Sequence, residues 1–238
     1  NNKVVISYMD VGNGNYGTSV VGTVSGTSIS FGTPVAFTSA LCQYVSSAYD
    51  STNNRVVVAY SLSGVNNGTA IVGTVSGTSI SFGSPVTFNS SHSYYTSTVY
   101  DSTNNKIVIV CQDTGNSYYG TAIVGTVSGN SISFGTPTVF ESATTQVISM
   151  VYDSSNQKVV IAYQDTDNGE YGTAVVGQVS GTSISFGSPV VFESSSTYYN
   201  SAVYDSTTNR IAISYRGASS YGNTILGTVS GTGIRFGT

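Results

Sequence analysis

An all-β fold built from one unit repeated five times is what this sequence predicts, and three observations predict it. A glycine-rich string recurs at a nearly constant period, turn-forming residues punctuate each copy, and no segment sets apolar residues at helical spacing. The string runs Gly22-Thr23-Val24-Ser25-Gly26-Thr27-Ser28-Ile29-Ser30-Phe31-Gly32 and returns almost unchanged from Gly73, Gly125, Gly177 and Gly227. Successive starts differ by 51, 52, 52 and 50 residues.

Four extended segments can be read within each unit. The first is short, as in Ser97-Thr98-Val99-Tyr100-Asp101. The turn Ser102-Thr103-Asn104-Asn105, of the type that closes hairpins, leads into the second, Lys106 to Val110. The third runs from Gly120 to Val127, and Ser128-Gly129-Asn130 turns the chain into the fourth, Ser131-Ile132-Ser133-Phe134. β-Branched residues dominate all four, which favours strands.

The second segment is apolar at consecutive positions in every unit: Val4-Val5-Ile6, Val56-Val57-Val58, Ile107 to Val110, Val159-Val160-Ile161 and Ile211-Ala212-Ile213. A strand with one wet face would alternate, so both faces of this one are covered. That is the situation of a blade packed between two neighbours, and the expected architecture is a five-bladed β-propeller of ~51-residue four-stranded repeats. It occupies residues 1–238 as a single domain, with units starting near 1, 44, 95, 147 and 199. A stacked solenoid, the rival, would have shorter coils and polar end caps.

The repeat resembles those of β-propeller lectins of the tachylectin-2 type, which are five-bladed with units of similar length. It is also similar to propeller repeat proteins predicted in phage and environmental viral sequences. The resemblance covers the whole chain through repeat length and blade layout, and it implies a lectin-like, sugar-binding module. The lectins' tryptophan signature is absent, as the chain has no Trp, so none of their sugar-binding residues carries over.

The segment inventory is uneven. Second segments begin at Lys3, Arg55, Lys106, Lys158 and Arg210, but first segments end only at Asp50, Asp101, Asp153 and Asp205. One blade therefore lacks its first, inner strand. The expectation is that residues beyond Thr238 supply it and close the ring, or that a neighbouring chain does so by strand exchange. The opening Asn1 reads as the mark of a processed product, a fragment or a trimmed chain.

Composition narrows the function. Only 8% of residues are charged and the net charge is −4, which argues against nucleic acid. No run of apolar residues is long enough to span a membrane. Cys42 and Cys111 are too few for a disulfide framework, and Cys111 stands where other units have Tyr8, Tyr60, Tyr163 and Tyr215. His92 is the only imidazole and reads as an exposed loop residue, so a Ser/His/Asp site lacks support. No His or Cys pair stands at metal-ligand spacing, and no cofactor is expected. The oxygen-rich Asp165-Thr166-Asp167-Asn168-Gly169-Glu170 misses the calcium-loop pattern.

Acids and bases flank the hairpin in each complete unit, as Asp50 and Arg55 do, and read as structural, with the Asp also suited to capping the turn's backbone donors. The other acids, including Asp10, Asp113 and Asp165, fall in two loop types that an up-down blade places on one face. Those loops also differ most between units, either because they meet partners or because loops drift. Tyrosine among Ser, Gly and Asn is the composition of adaptable binding surfaces. The candidate ligand-binding residues are Asp10, Tyr16, Tyr94, Tyr95, Asp113, Tyr118, Tyr119, Asp165, Tyr171, Tyr198, Tyr199 and Tyr221. The expected protein is a monomeric, non-catalytic binding scaffold, extracellular or virion-associated, with glycans or a surface receptor as partner. The alternative is a structural or assembly propeller without a small-molecule ligand.

Overall fold

The computed structural model describes residues 2–237; Asn1 and Thr238, the two ends weighed above, lie outside the described residues. Unit 1 contains β1 (Lys3–Asp10), a 3-10 turn at Val11–Asn13, β2 (Tyr16–Ser25) and β3 (Ser28–Phe31). β4 (Val35–Asp50) begins as an outer strand of unit 1 and ends as the inner strand of unit 2. Unit 2 continues with β5 (Arg55–Leu62), β6 (Asn67–Ser76), β7 (Ser79–Phe82) and β8 (Val86–Asn89). Unit 3 is β9 (Ser93–Asp101), β10 (Lys106–Asp113), β11 (Tyr119–Ser128) and β12 (Ser131–Phe134). β13 (Thr138–Asp153) crosses into unit 4, which adds β14 (Lys158–Asp165), β15 (Tyr171–Ser180), β16 (Ser183–Phe186) and β17 (Val190–Ser196). Unit 5 is β18 (Tyr198–Asp205), β19 (Arg210–Arg216), β20 (Gly222–Ser230) and β21 (Gly233–Phe236).

Among the described residues all strand pairs are antiparallel, and they fall into three sheets of eight, nine and four strands, none of which closes on itself. The two larger sheets each span two units because β4 and β13 run unbroken from one to the next.

The outer edge of units 1 to 4 is longer than the sequence suggests. β11 pairs with β12 along Gly125–Ser128 and with the start of β13 along Tyr119–Ala122. Between them the chain steps through Gly135-Thr136-Pro137, and the Gly135 N–H donates to the Val124 carbonyl at 2.9 Å. Proline is tolerated there because an edge strand can spare an N–H. The serine-rich segment from Glu193 to Tyr199, whose composition suits a loop, is therefore mostly strand.

The hairpin turn between first and second segments is held by its aspartate. Asp101 Oδ1 accepts the N–H groups of Thr103 and Asn104, each at 3.0 Å, and Oδ2 accepts Asn104 Nδ2 at 2.8 Å. Asp50 and Asp153 repeat the pattern and are as buried. The facing bases bond elsewhere: Lys106 Nζ to Thr126 Oγ1, and Arg55 Nε to the Gly129 carbonyl. Of the two structural roles open to the aspartate it takes turn capping, because a buried carboxylate gains more from backbone donors beside it than from a mobile exposed cation.

Each unit packs one face forward and one backward, giving four apolar cores, one at each joint. Val57, Ala59, Ala70 and Val72 of unit 2 meet Ile107, Ile109, Ile123 and Ile132 of unit 3. Equivalent residues build the joints between units 1 and 2, 3 and 4, and 4 and 5. Full burial of such side chains contributes about 1.5–3 kcal/mol each. A phenylalanine from each outer strand meets one from the next unit, as Phe88 meets Phe134 with centroids 5.9 Å apart.

Two contacts fix the spacing. At the outer rim, a Cβ on Gly83 would lie 2.0 Å from the Asn130 carbonyl oxygen, and Gly32, Gly135 and Gly187 abut the next unit's carbonyl in the same way. Among the inner strands, Ser46, Ser97 and Ser149 accept the N–H groups of Thr98, Met150 and Ala202 at 3.0, 3.0 and 2.9 Å.

The terminal units leave one face each uncovered. Val4, Ile6, Ile29 and Phe31 of unit 1 are exposed, whereas Ile107, Ile109 and Ile132 at the first three of these positions in unit 3 are buried. In unit 5 the forward face exposes Val203, Ser214, Thr224 and Leu226.

Candidate recognition surface

The two variable loop types do share a face, and hydrogen bonds tie them together. The Thr145 N–H donates to the Tyr118 carbonyl at 3.2 Å and the Thr197 N–H to the Glu170 carbonyl at 3.1 Å. Gln112 Nε2 reaches the Thr145 carbonyl and Gln164 Nε2 the Thr197 carbonyl, both at 2.6 Å.

At this end each inner strand carries a bulge in which one residue adopts a left-handed backbone: Tyr44, Tyr95, Val147 and Tyr199, with φ of 50°, 52°, 50° and 56°. Glycine is the usual occupant of such a site, and a bulky side chain there costs about 1–2 kcal/mol. The bulge re-aims the ring. Tyr44 lies 5.0 Å from Tyr94 and 5.5 Å from Tyr95 between ring centroids, and His92 stands 5.5 Å from Tyr94. Burial, with smaller contributions from Tyr95 and Tyr94, pushes the Tyr44 hydroxyl above its ordinary pKa. His92 is half-buried rather than exposed, its Nδ1 being 3.3 Å from Ser61 Oγ.

A second cluster forms in unit 5. The Arg216 guanidinium lies 4.4 Å from the Tyr198 ring centroid and 5.4 Å from that of Tyr199. Tyr199 is 75% exposed. Arg216 occupies the position that Gln112 and Gln164 hold in earlier units, and its Nε finds no partner among the described residues. Both amide atoms of the buried Asn200 are likewise unpartnered. An exposed ring and a stacked guanidinium thus lie on Tyr198, Tyr199 and their cross-strand neighbour Arg216, with the unpartnered polar atoms buried behind them.

Other residues of this face make contacts within the fold. Asp113 Oδ1 accepts the Gly115 N–H at 3.0 Å, and Asp165 Oδ1 accepts that of Asn168 at 3.3 Å. Burial raises the Asp165 carboxyl above the usual carboxylate range. Glu141 and Glu193 accept the hydroxyls of Tyr163 and Tyr215 at 2.8 and 3.0 Å. The Tyr16 and Tyr171 rings lie over Gly14 and Gly169, and Tyr119 is half-buried at the start of its strand. Asp10 ends β1 half-buried. Tyr118 and Tyr221 are exposed but stand apart from the two clusters' aromatic pairs. The site list above omits Tyr44, Asn200 and Arg216. Tyr44 could have been found by aligning it with Tyr95 and Tyr199 in the repeat.

Cys42 and Cys111 are free, buried thiols. No group of three or more potential metal ligands occurs among the described residues, and no helix is long and apolar enough to cross a membrane. Compared with models of known families and with curated proteins, the chain finds no match.

Proposed function

We propose that this chain is a non-catalytic recognition module, a five-bladed β-propeller of tachylectin-2-like architecture. It binds glycans, or a glycan-bearing surface receptor, through several weak sites on its tyrosine-rich loop face. An extracellular or virion surface is the setting such a module suits. The observation that carries the reading is the Tyr198–Tyr199–Arg216 cluster, where strained backbone presents a ring to solvent beside a stacked guanidinium. Tyr44 and Tyr95 repeat the bulge elsewhere on the face, and several such sites give avidity toward a repetitive ligand.

Complementarity supports the ring. The uncovered face of unit 1 is the backward half of the joint built four times within the chain, and that of unit 5 is the forward half. A glycan array probed with and without Ca²⁺ tests the binding. Tyr199→Ala should lower the signal at least tenfold with an unchanged circular-dichroism spectrum. A silent array would replace this reading with that of an assembly propeller. Small-angle scattering tests the ring separately, since a flat disc and an elongated stack give different distance distributions.

A further inference from the structure

Among the described residues β1 pairs with β2 along one edge only, whereas β5, β10, β14 and β19 are each flanked on both sides. Beside the free edge runs a groove. Lys3, Val4 and Val5 form one wall and Ser47, Ala48 and Tyr49 the other of a cavity of about 670 Å³. A second space, about 380 Å³, continues it past Tyr8 and Tyr44. We propose that this edge is a strand-accepting site whose ligand is an extended peptide carrying the unit's own inner-strand sequence, Ser-x-Val-Tyr-Asp.

The groove is specific for that sequence because its recognition elements are those of the existing joints. In units 2, 3 and 4 the inner-strand serine accepts an N–H from the next inner strand, ending with Ser149 and Ala202. The N–H that begins this series belongs to Ser47, at the position of Thr98, and a serine on β1's edge would accept it. A second series joins tyrosine hydroxyls to the preceding unit's turn: Tyr100 to Thr52 at 2.6 Å, Tyr152 to Thr103 at 2.7 Å and Tyr204 to Ser155 at 2.6 Å. Tyr49 instead bonds Asn54 within its own turn and is 54% exposed. A threonine two residues beyond the peptide's aspartate would receive it.

Shape agrees with chemistry. Val99 packs at the joint of units 3 and 4, and its counterpart in a peptide seated on the β1 edge would enter the larger cavity. Asn2 already has the left-handed backbone, φ 47°, that Asn54, Asn105 and Asn209 adopt where an inner strand turns into the second strand. Main-chain pairing to an exposed edge provides affinity while the side-chain pockets provide selectivity.

The test uses a fluorescent peptide with the sequence of Ser93–Thr103, titrated into the 238-residue chain and followed by anisotropy. One-to-one saturable binding is expected. Ser97→Ala in the peptide should weaken it about fivefold, as loss of one hydrogen bond does. Prolines at both Thr98 and Val99 should abolish it, since adjacent residues direct their N–H groups to opposite edges. Tyr49→Phe in the protein should weaken the parent peptide but leave a Thr103→Ala peptide unchanged. Absence of saturable binding would overturn the proposal, as would equal binding of the diproline peptide. So would sedimentation of the chain as a dimer that the peptide does not dissociate, because the edge would then belong to a second copy. None of these outcomes depends on what the loop face binds.

Discussion

Ser149 Oγ accepts the backbone N–H of Ala202 at 2.9 Å, joining the inner strands of two successive units by one short side chain. Ser201 occupies the same position one unit later, exposed and with no described strand beyond it. Ser149→Ala should therefore cost about 1 kcal/mol. That corresponds to a fall of about 2–4 °C in melting temperature for a chain of this size. Ser201→Ala should leave the melting temperature unchanged, and thermal denaturation of the pair separates a hydrogen bond from a general cost of losing a serine.

Turn capping predicts an asymmetry across the hairpin. Asp101→Ala removes the acceptor of three hydrogen bonds from a buried site and should destabilise by about 2–4 kcal/mol. Lys106→Ala removes only a bond to a threonine hydroxyl and should cost less than about 1 kcal/mol. Urea unfolding of both variants decides the matter, and equal losses would reinstate an ion pair.

The thiols should be silent in the folded protein. Burial pushes both Cys42 and Cys111 up to about 12. At pH 8 a fraction on the order of 10⁻⁴ of each is then the reactive thiolate. A thiol reagent should label neither in native buffer within minutes and both in 6 M denaturant. Rapid native labelling of either would show that its joint opens.

Asp165 should impose a pH-dependent penalty. Its carboxyl is held above the usual range by burial, so the folded state binds its proton more tightly than the unfolded chain does. Stability is unaffected below the unfolded value of about 4 and falls as the pH rises through the folded one. Asp165→Asn keeps an acceptor for the Asn168 N–H without the charge. Melting temperatures at pH 3 and pH 7 should show the variant gaining on the parent only at the higher pH.

How much of this was legible in the sequence follows from what each feature depends on. The second segments could be read because burial on both faces leaves a continuous apolar run, as in Ile107 to Val110. The outer half of the fourth segment was missed at Val190–Ser196, where Val-Val-Phe alternates exposed and buried before a serine-rich stretch that resembles a loop. The acidic residues were placed on the correct face, but composition cannot distinguish a carboxylate offered to solvent from one spent on Tyr163 or Gly115. The bulges at Tyr44, Tyr95 and Tyr199 carry no glycine, so the usual sign of a left-handed backbone was lacking. Arg216 over Tyr198 depends on a cross-strand register, which no local pattern encodes.

The rim glycines have a consequence for how such a chain can change its length. Gly32, Gly83, Gly135 and Gly187 each bring bare backbone against a carbonyl of the following unit, so every joint is cut to one template. A tandem duplication that inserted a whole unit would create another joint from parts already present, but in the proposed five-membered ring it would have to change the angle of every joint. Alanine at a single rim position would instead wedge one joint apart and leave the others as they were. The glycine is thus the gauge that each copy carries, and it sets the angle between units as well as their spacing.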